Sequence, residues 1–198
     1  MQDLQQMKQL QQRLDQIQDK LESEAFQKNQ KLGGEIGFYI FDYPAQYELM
    51  MRDYLSTLTD KLKRRDDSTS PSFASIHVFE MMIALLKERN LLDKAFAMQK
   101  QRGDEALFKA LTGVLDQNRV ADFMMQQIDI TQCKFILIHG LGSTWPMVRG
   151  HGLLNALHAK LQDIPTVLFY PGQYDGVTLK PFGNIDSNHY YRAFKLIP

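Results

Sequence analysis

Short runs rich in β-branched and aromatic residues recur at 36–41, 74–79, 134–138 and 166–170, with stretches of helical periodicity between them. That alternation restricts the fold more than any other feature of the chain. A strand that passes through a helix before the next strand must return parallel to the first, with helices covering the sheet faces. The expected fold class is therefore α/β, with a mostly parallel sheet flanked by helices. The tail at 178–197 reads as a C-terminal antiparallel hairpin turning at Pro181, Phe182, Gly183 and Asn184.

An amphipathic helix is expected before the first strand. Met7, Leu10, Leu14, Ile17 and Leu21 are spaced 3, 4, 3, 4, and eight of the first 18 residues are glutamine. The stripe fits a docking or coiled-coil helix, through which the chain would pair with a second copy. It equally fits a helix packed on its own domain, because two heptads fall short of a sustained coiled coil. The expected organisation is this helix at 1–25 followed by one α/β domain at 26–198. That domain carries a polar loop at 63–72 (KRRDDSTSPS) and a helical insert at 80–128 broken at Asn90, Gly103 and Gln117–Asn118. Tyr47, Met51, Tyr54, Leu58 and Leu62 mark one face of a helix after Pro44.

Length and charge exclude several function classes. The 198 residues are enough for one well-cored domain. Lys+Arg and Asp+Glu both total 23, giving zero formal net charge, so the basic excess of a duplex-binding protein is missing. A single cysteine, Cys133, rules out an intramolecular disulfide framework. No apolar run reaches the roughly 20 residues of a membrane span, and the Gln-rich start does not read as a signal peptide. A cytoplasmic location is expected, with no membrane contact and no direct nucleic-acid binding.

The segment from Ile138 to Arg149, IHGLGSTWPMVR, has the order strand, glycine loop, helix start that suits an anion at helix N-terminal N–H groups. Gly140 and Gly142 begin a G-x-G-x-x-G pattern, but Trp145 stands at its third glycine, and no P-loop Lys-Ser/Thr pair follows. No G-x-S-x-G elbow exists, which argues against a serine hydrolase. His77, His139, His151, His158 and His189 form no H-E-x-x-H or H-x-x-x-H motif. No catalytic residue, metal site or cofactor is expected.

If the strands are parallel, Asp42 and Tyr43, the loop from Gly140 to Trp145, and Tyr174 with Asp175 all lie at the carboxyl end of the sheet, where ligands of open α/β folds bind. Asp42 and Asp175 read equally as cap and turn residues. One reading of the loop at 140–145 is a nucleotide- or anion-binding regulatory site; the other is a tight strand-to-helix turn.

Three segments carry a resemblance. GGEIGFYIFDYPAQYELMMRDYL (33–55), FILIHGLGSTWPMVRGHGLLNALH (135–158) and VLFYPGQYDGVTLKPFGNIDSNHYYRAFKLI (167–197) resemble the BrxB family of BREX phage-defence systems. FYPGQYDG and NHYYRAFKLI are the most specific parts. The resemblance implies a non-catalytic adaptor of a defence complex, with other BREX proteins as partners and the PglZ-like phosphatase subunit foremost. Within the matching segments Trp145, Arg149, Tyr174, Tyr190, Tyr191 and Arg192 are the expected contact residues, since aromatics and arginine anchor interfaces.

Overall fold

The computed structural model describes residues 2–28, 37–65, 72–161, 164–183 and 193–198. Among these, a six-stranded sheet runs in the order β2-β3-β4-β1-β6, with β5 attached to β4. Its strands are β1 (Phe38–Tyr43), β2 (Phe73–His77), β3 (Phe135–His139), β4 (Thr166–Tyr174), β5 (Leu179–Pro181) and β6 (Phe194–Lys195). Every pairing is parallel except β4 with β5. The expected α/β architecture and its C-terminal antiparallel strand pair are both present.

Alternation along the strands divides the core in two. Phe38 and Ile40 of β1, Ile136 and Ile138 of β3 and Leu168 of β4 face one helical layer. Tyr39 and Phe41, Phe135 and Leu137, and Val167 and Phe169 face the other. The first layer holds α5 (Val78–Glu88), α6 (Leu92–Thr112), α7 (Gln117–Gln126) and α8 (Gly150–Leu161). The second holds α1 (Gln2–Leu14), α2 (Ile17–Glu22), α3 (Glu24–Gln27) and α4 (Glu48–Arg65). In α4 the residues Met51, Leu55, Leu58 and Leu62 form the buried stripe, while the Tyr54 hydroxyl donates to the Leu14 carbonyl at 2.8 Å. Each such leucine contributes about 1.5–3 kcal/mol by leaving water.

The first helix packs on its own domain. Leu10, Leu14, Ile17 and Leu21 are buried in the second core layer, and the stripe runs through a break between α1 and α2. Of the expected stripe only Met7 stays exposed, at 40%.

The helical insert breaks as expected at Asn90 and Gly103, whereas Gln117 and Asn118 open α7 after a break at 113–116. Asn90 has φ 56° between α5 and α6, Gly103 has φ 79° and ψ 179° inside α6, and Asp116 caps α7 by accepting from the Asn118 N–H at 3.0 Å. Gly103 meets the need for a positive φ without a Cβ penalty.

Two local expectations are corrected. The turn expected at 181–184 runs into residues outside the described ones. The hairpin turns at 175–178, so β5 pairs with the end of β4, and β6 joins β1 in parallel. And α8 does not start at Pro146. The Trp145–Pro146 peptide is cis, and the helix begins at Gly150 after a compact loop. That loop is held by Thr144, whose buried hydroxyl lies 2.7 Å from the Leu141 carbonyl and 3.1 Å from that of Val148. Of the polar loop expected at 63–72, residues 63–65 instead close α4, and 66–71 lie outside the described residues, as do Tyr190, Tyr191 and Arg192.

Candidate functional site

Parallel pairing brings the carboxyl ends of β1, β2, β3 and β4 to one edge. Asp42 and Tyr43 pair with Tyr170 and Pro171, and His77 pairs with His139, the last residues of β2 and β3. Two clefts open along this edge.

The first, of about 490 Å³, lies between α1 and the ends of β1 and β4 and is lined largely by amides, among them Gln6, Gln9, Gln46 and Gln173. At its floor Asp42 is already engaged. Its Oδ1 receives Arg13 Nη2 at 2.8 Å and its Oδ2 receives the Tyr174 N–H at 3.0 Å. Arg13 also donates to the carbonyls of Asp42 (2.8 Å) and Ile197 (3.3 Å), and its guanidinium stands 4.6 Å over the Phe41 ring. Asp42 thus joins the first helix to the sheet. Arg13 was invisible as a site residue in the sequence, where it is one cation on the polar side of a helix.

Two expected contact residues prove to be core. Tyr174 is 2% exposed, and its hydroxyl donates to the Ala193 carbonyl (2.8 Å) while accepting the Ala193 N–H (3.1 Å). The cause is that β4 continues through Pro171 to Tyr174, carrying this ring under the C-terminal segment. Tyr43 is equally buried; its hydroxyl donates to Glu48 Oε2 at 2.6 Å, and burial together with the Glu48 charge pushes it far above the ordinary tyrosine range. Asp175 is a turn residue. Its carboxylate accepts from the N–H groups of Val177 and Thr178 and from the Thr178 hydroxyl, which holds its pKa down to about 2.

The glycine loop packs rather than cradles. Gly140 has φ 74°, and a Cβ there would stand 2.3 Å from Cε1 of His77. A Cβ on Gly142 would stand 3.0 Å from Pro171. The N–H groups of Thr144, Met147 and Val148 are donated within the loop, to Leu141 and Thr144. What the loop exposes is Trp145, 40% accessible, set edge-on against Phe182 with ring centroids 5.8 Å apart; Arg149 is exposed four residues on.

The second cleft, of about 810 Å³, lies between α4 and the ends of β2 and β3. Its floor is a histidine pair absent from the sequence-level candidates. The His77 and His139 rings meet at 5.0 Å and 82°, Ser75 Oγ lies 3.1 Å from His139 Nε2, and the Glu80 N–H donates to His77 Nδ1 at 3.4 Å. Burial, then the neighbouring His77, lowers the His139 pKa to about 4, so the ring is neutral at pH 7. Arg52, on α4, donates to Ser143 Oγ at 3.1 Å and stands 3.7 Å from Glu48. Among the described residues no three His, Cys, Asp or Glu side chains converge as a metal site would need, and no helix is long and apolar enough to cross a membrane. Cys133 is half-buried, its thiol 3.4 Å from the Asp129 carbonyl and pushed up in pKa by burial.

The fold defines a three-layer α/β protein with two clefts and an exposed loop at the carboxyl ends of a parallel sheet. The chain belongs to the BrxB family. The family model described as BREX protein BrxB matches residues 74–196. A BREX protein BrxB of Escherichia coli O9:H4 (strain HS) is 41% identical over 189 residues, covering 96% of this chain and 92% of the relative. One of Bacillus cereus (strain H3081.97) is 34% identical over 193 residues, covering 96% and 99%. No solved structure matches the chain. Family membership makes the protein a component of a BREX phage-defence system, with other BREX proteins as its partners.

Proposed function

We propose that this chain is a non-catalytic, cytoplasmic adaptor of its BREX assembly, docking onto the PglZ-like phosphatase subunit through the loop between β3 and α8. The observation that carries this reading is the exposed Trp145–Phe182 pair, with Arg149 on the same loop. A tryptophan left accessible beside a second ring and an arginine is the composition of an interface anchor, because these side chains bury much area at little entropic cost. The loop beneath it is held by its own hydrogen bonds, so the anchor is presented on a preorganised base.

The test is co-purification with the PglZ-like subunit of a BREX system, using the full chain, Trp145→Ala and Arg149→Ala. A stoichiometric complex, weakened at least tenfold by Trp145→Ala in a variant with native circular dichroism, supports the reading. Absence of a complex at micromolar concentration, or full binding by both variants, rejects it. Deleting residues 1–25 is not a clean probe, because Leu10, Leu14, Ile17 and Leu21 belong to the core.

A further inference from the structure

We propose that the cleft between α4 and the carboxyl ends of β2 and β3 binds a free nucleotide, with Arg52 taking its phosphate and Phe79 its base. This site touches the docking loop at Ser143 but includes neither Trp145 nor Arg149, and the adaptor reading is tested on those two residues alone.

The cleft's volume of about 810 Å³ is in the range of small-molecule sites. Arg52 is held in place. The Tyr43 hydroxyl is fixed on Glu48 (2.6 Å), Glu48 stands beside the Nε of Arg52 (3.7 Å), and Ser143 receives the neighbouring Nη2 (3.1 Å), which leaves the Nη1 end of the guanidinium for a phosphate. A guanidinium anchored in this way keeps its fork geometry for a phosphate instead of losing rotamer freedom on binding. Lys63 lies about three turns further along the same helix and lines the other end of the cleft.

The floor supplies neutral hydrogen-bonding groups. Ser75 and His139 are linked at 3.1 Å, and His77 is wedged over Gly140, whose φ of 74° and missing Cβ make room for the ring. On the wall opposite α4, Phe79 opens α5 and is 37% exposed, an accessible ring at the cleft where a base can stack. The two cations of the lining, Arg52 and Lys63, face Glu80, and Glu48 stands beside Arg52, so the cleft lacks the row of unopposed cations a nucleic-acid strand needs, and a single phosphate on Arg52 is the charge it can take.

The experiment is calorimetric titration of the full chain and its variants with AMP, ATP, inorganic phosphate and a ten-nucleotide single-stranded DNA. AMP or ATP is expected to bind at least tenfold tighter than phosphate. Arg52→Ala should weaken nucleotide and phosphate tenfold or more, whereas Phe79→Ala should weaken nucleotide about tenfold and leave phosphate unchanged. Arg52→Lys, which keeps the charge without the fork, serves if the alanine variant does not fold, and should also weaken both. The proposal is overturned if neither nucleotide binds at about 10 mM, a level that would still register a weak site as thermal stabilisation. It is equally overturned if the Arg52 variants bind as the parent does, or if the oligonucleotide binds while AMP and ATP do not.

Discussion

Arg13 and Asp42, 29 residues apart, meet in a 2.8 Å ion pair that fastens the first helix to the end of the first strand. The same guanidinium reaches the Ile197 carbonyl, so three separate stretches of chain depend on it. Breaking a largely buried pair leaves one charge without a partner, which is more costly than the pair's net worth. Arg13→Ala and Asp42→Asn are each expected to lower stability by about 2–3 kcal/mol. Urea unfolding of both, and of the double variant, checks this. A double variant no worse than either single one is the expected sign of coupling.

Gly140 and His77 form a second coupled pair. Alanine at 140 meets both a φ of 74° and an imidazole atom 2.3 Å from its Cβ. Backbone strain and overpacking together predict a loss of about 2–4 kcal/mol for Gly140→Ala. His77→Ala on that background removes the clash and not the strain, so it should restore part of the loss. Absence of any rescue in thermal unfolding would show that the ring is not what demands glycine here.

Acid should weaken the fold through His139. Its folded pKa is about 4, below the 6.5 of an unperturbed imidazole, so the unfolded state binds the proton more readily. The neutral ring's contribution is complete above about pH 6.5 and is lost as pH falls towards 4, up to roughly 3 kcal/mol in total. His77 and Glu80 are the titratable groups that face the same ring cluster. Stability measured from pH 7.5 to 4 should fall more steeply for the parent than for His139→Gln; equal slopes would mean that other groups carry the acid sensitivity.

The parts of this molecule governed by local rules were readable in the chain. Runs rich in β-branched and aromatic residues placed β1, β2, β3 and the start of β4, and Asn90 and Gly103 marked breaks in the helical insert because each takes a positive φ. Parallel pairing also followed, and with it the common edge holding Asp42 and Gly140. What the chain concealed were contacts set by the crossovers. His77 and His139 lie side by side only because β2 pairs with β3, and a parallel crossover fixes no sequence spacing that a motif could record. Arg13 was hidden for the same reason. Tyr174 was misread as surface because Pro171 looked like the end of a strand, whereas the strand's last residues pair with β5, where a proline is tolerated.

The N-terminal helix is expected to act as core. Leu14→Ala should cost about 2–5 kcal/mol, as other buried leucines do, while Leu4→Ala, at a position 54% exposed, should change stability by less than about 0.5 kcal/mol. Chemical denaturation of the two variants separates the cases. A small effect at Leu14 would mean that residues 2–28 detach in solution, returning the stripe to an intermolecular role.

Trp145 offers a direct optical reading of the proposed docking surface, since the chain holds a single tryptophan. At 40% exposure and edge-on to Phe182, its indole is partly in water, so its emission should lie to the red of a buried tryptophan and be quenched by acrylamide. Phe182→Ala removes the ring that shields one side and should increase quenching without lowering stability by more than about 1 kcal/mol, because Phe182 is itself at the surface. Docking of the PglZ-like subunit on this loop should shift emission to the blue and protect it from acrylamide, as a desolvated anchor requires. A complex that forms with the emission and its quenching unchanged places the interface elsewhere on the molecule, and Trp145 then remains exposed in the assembly.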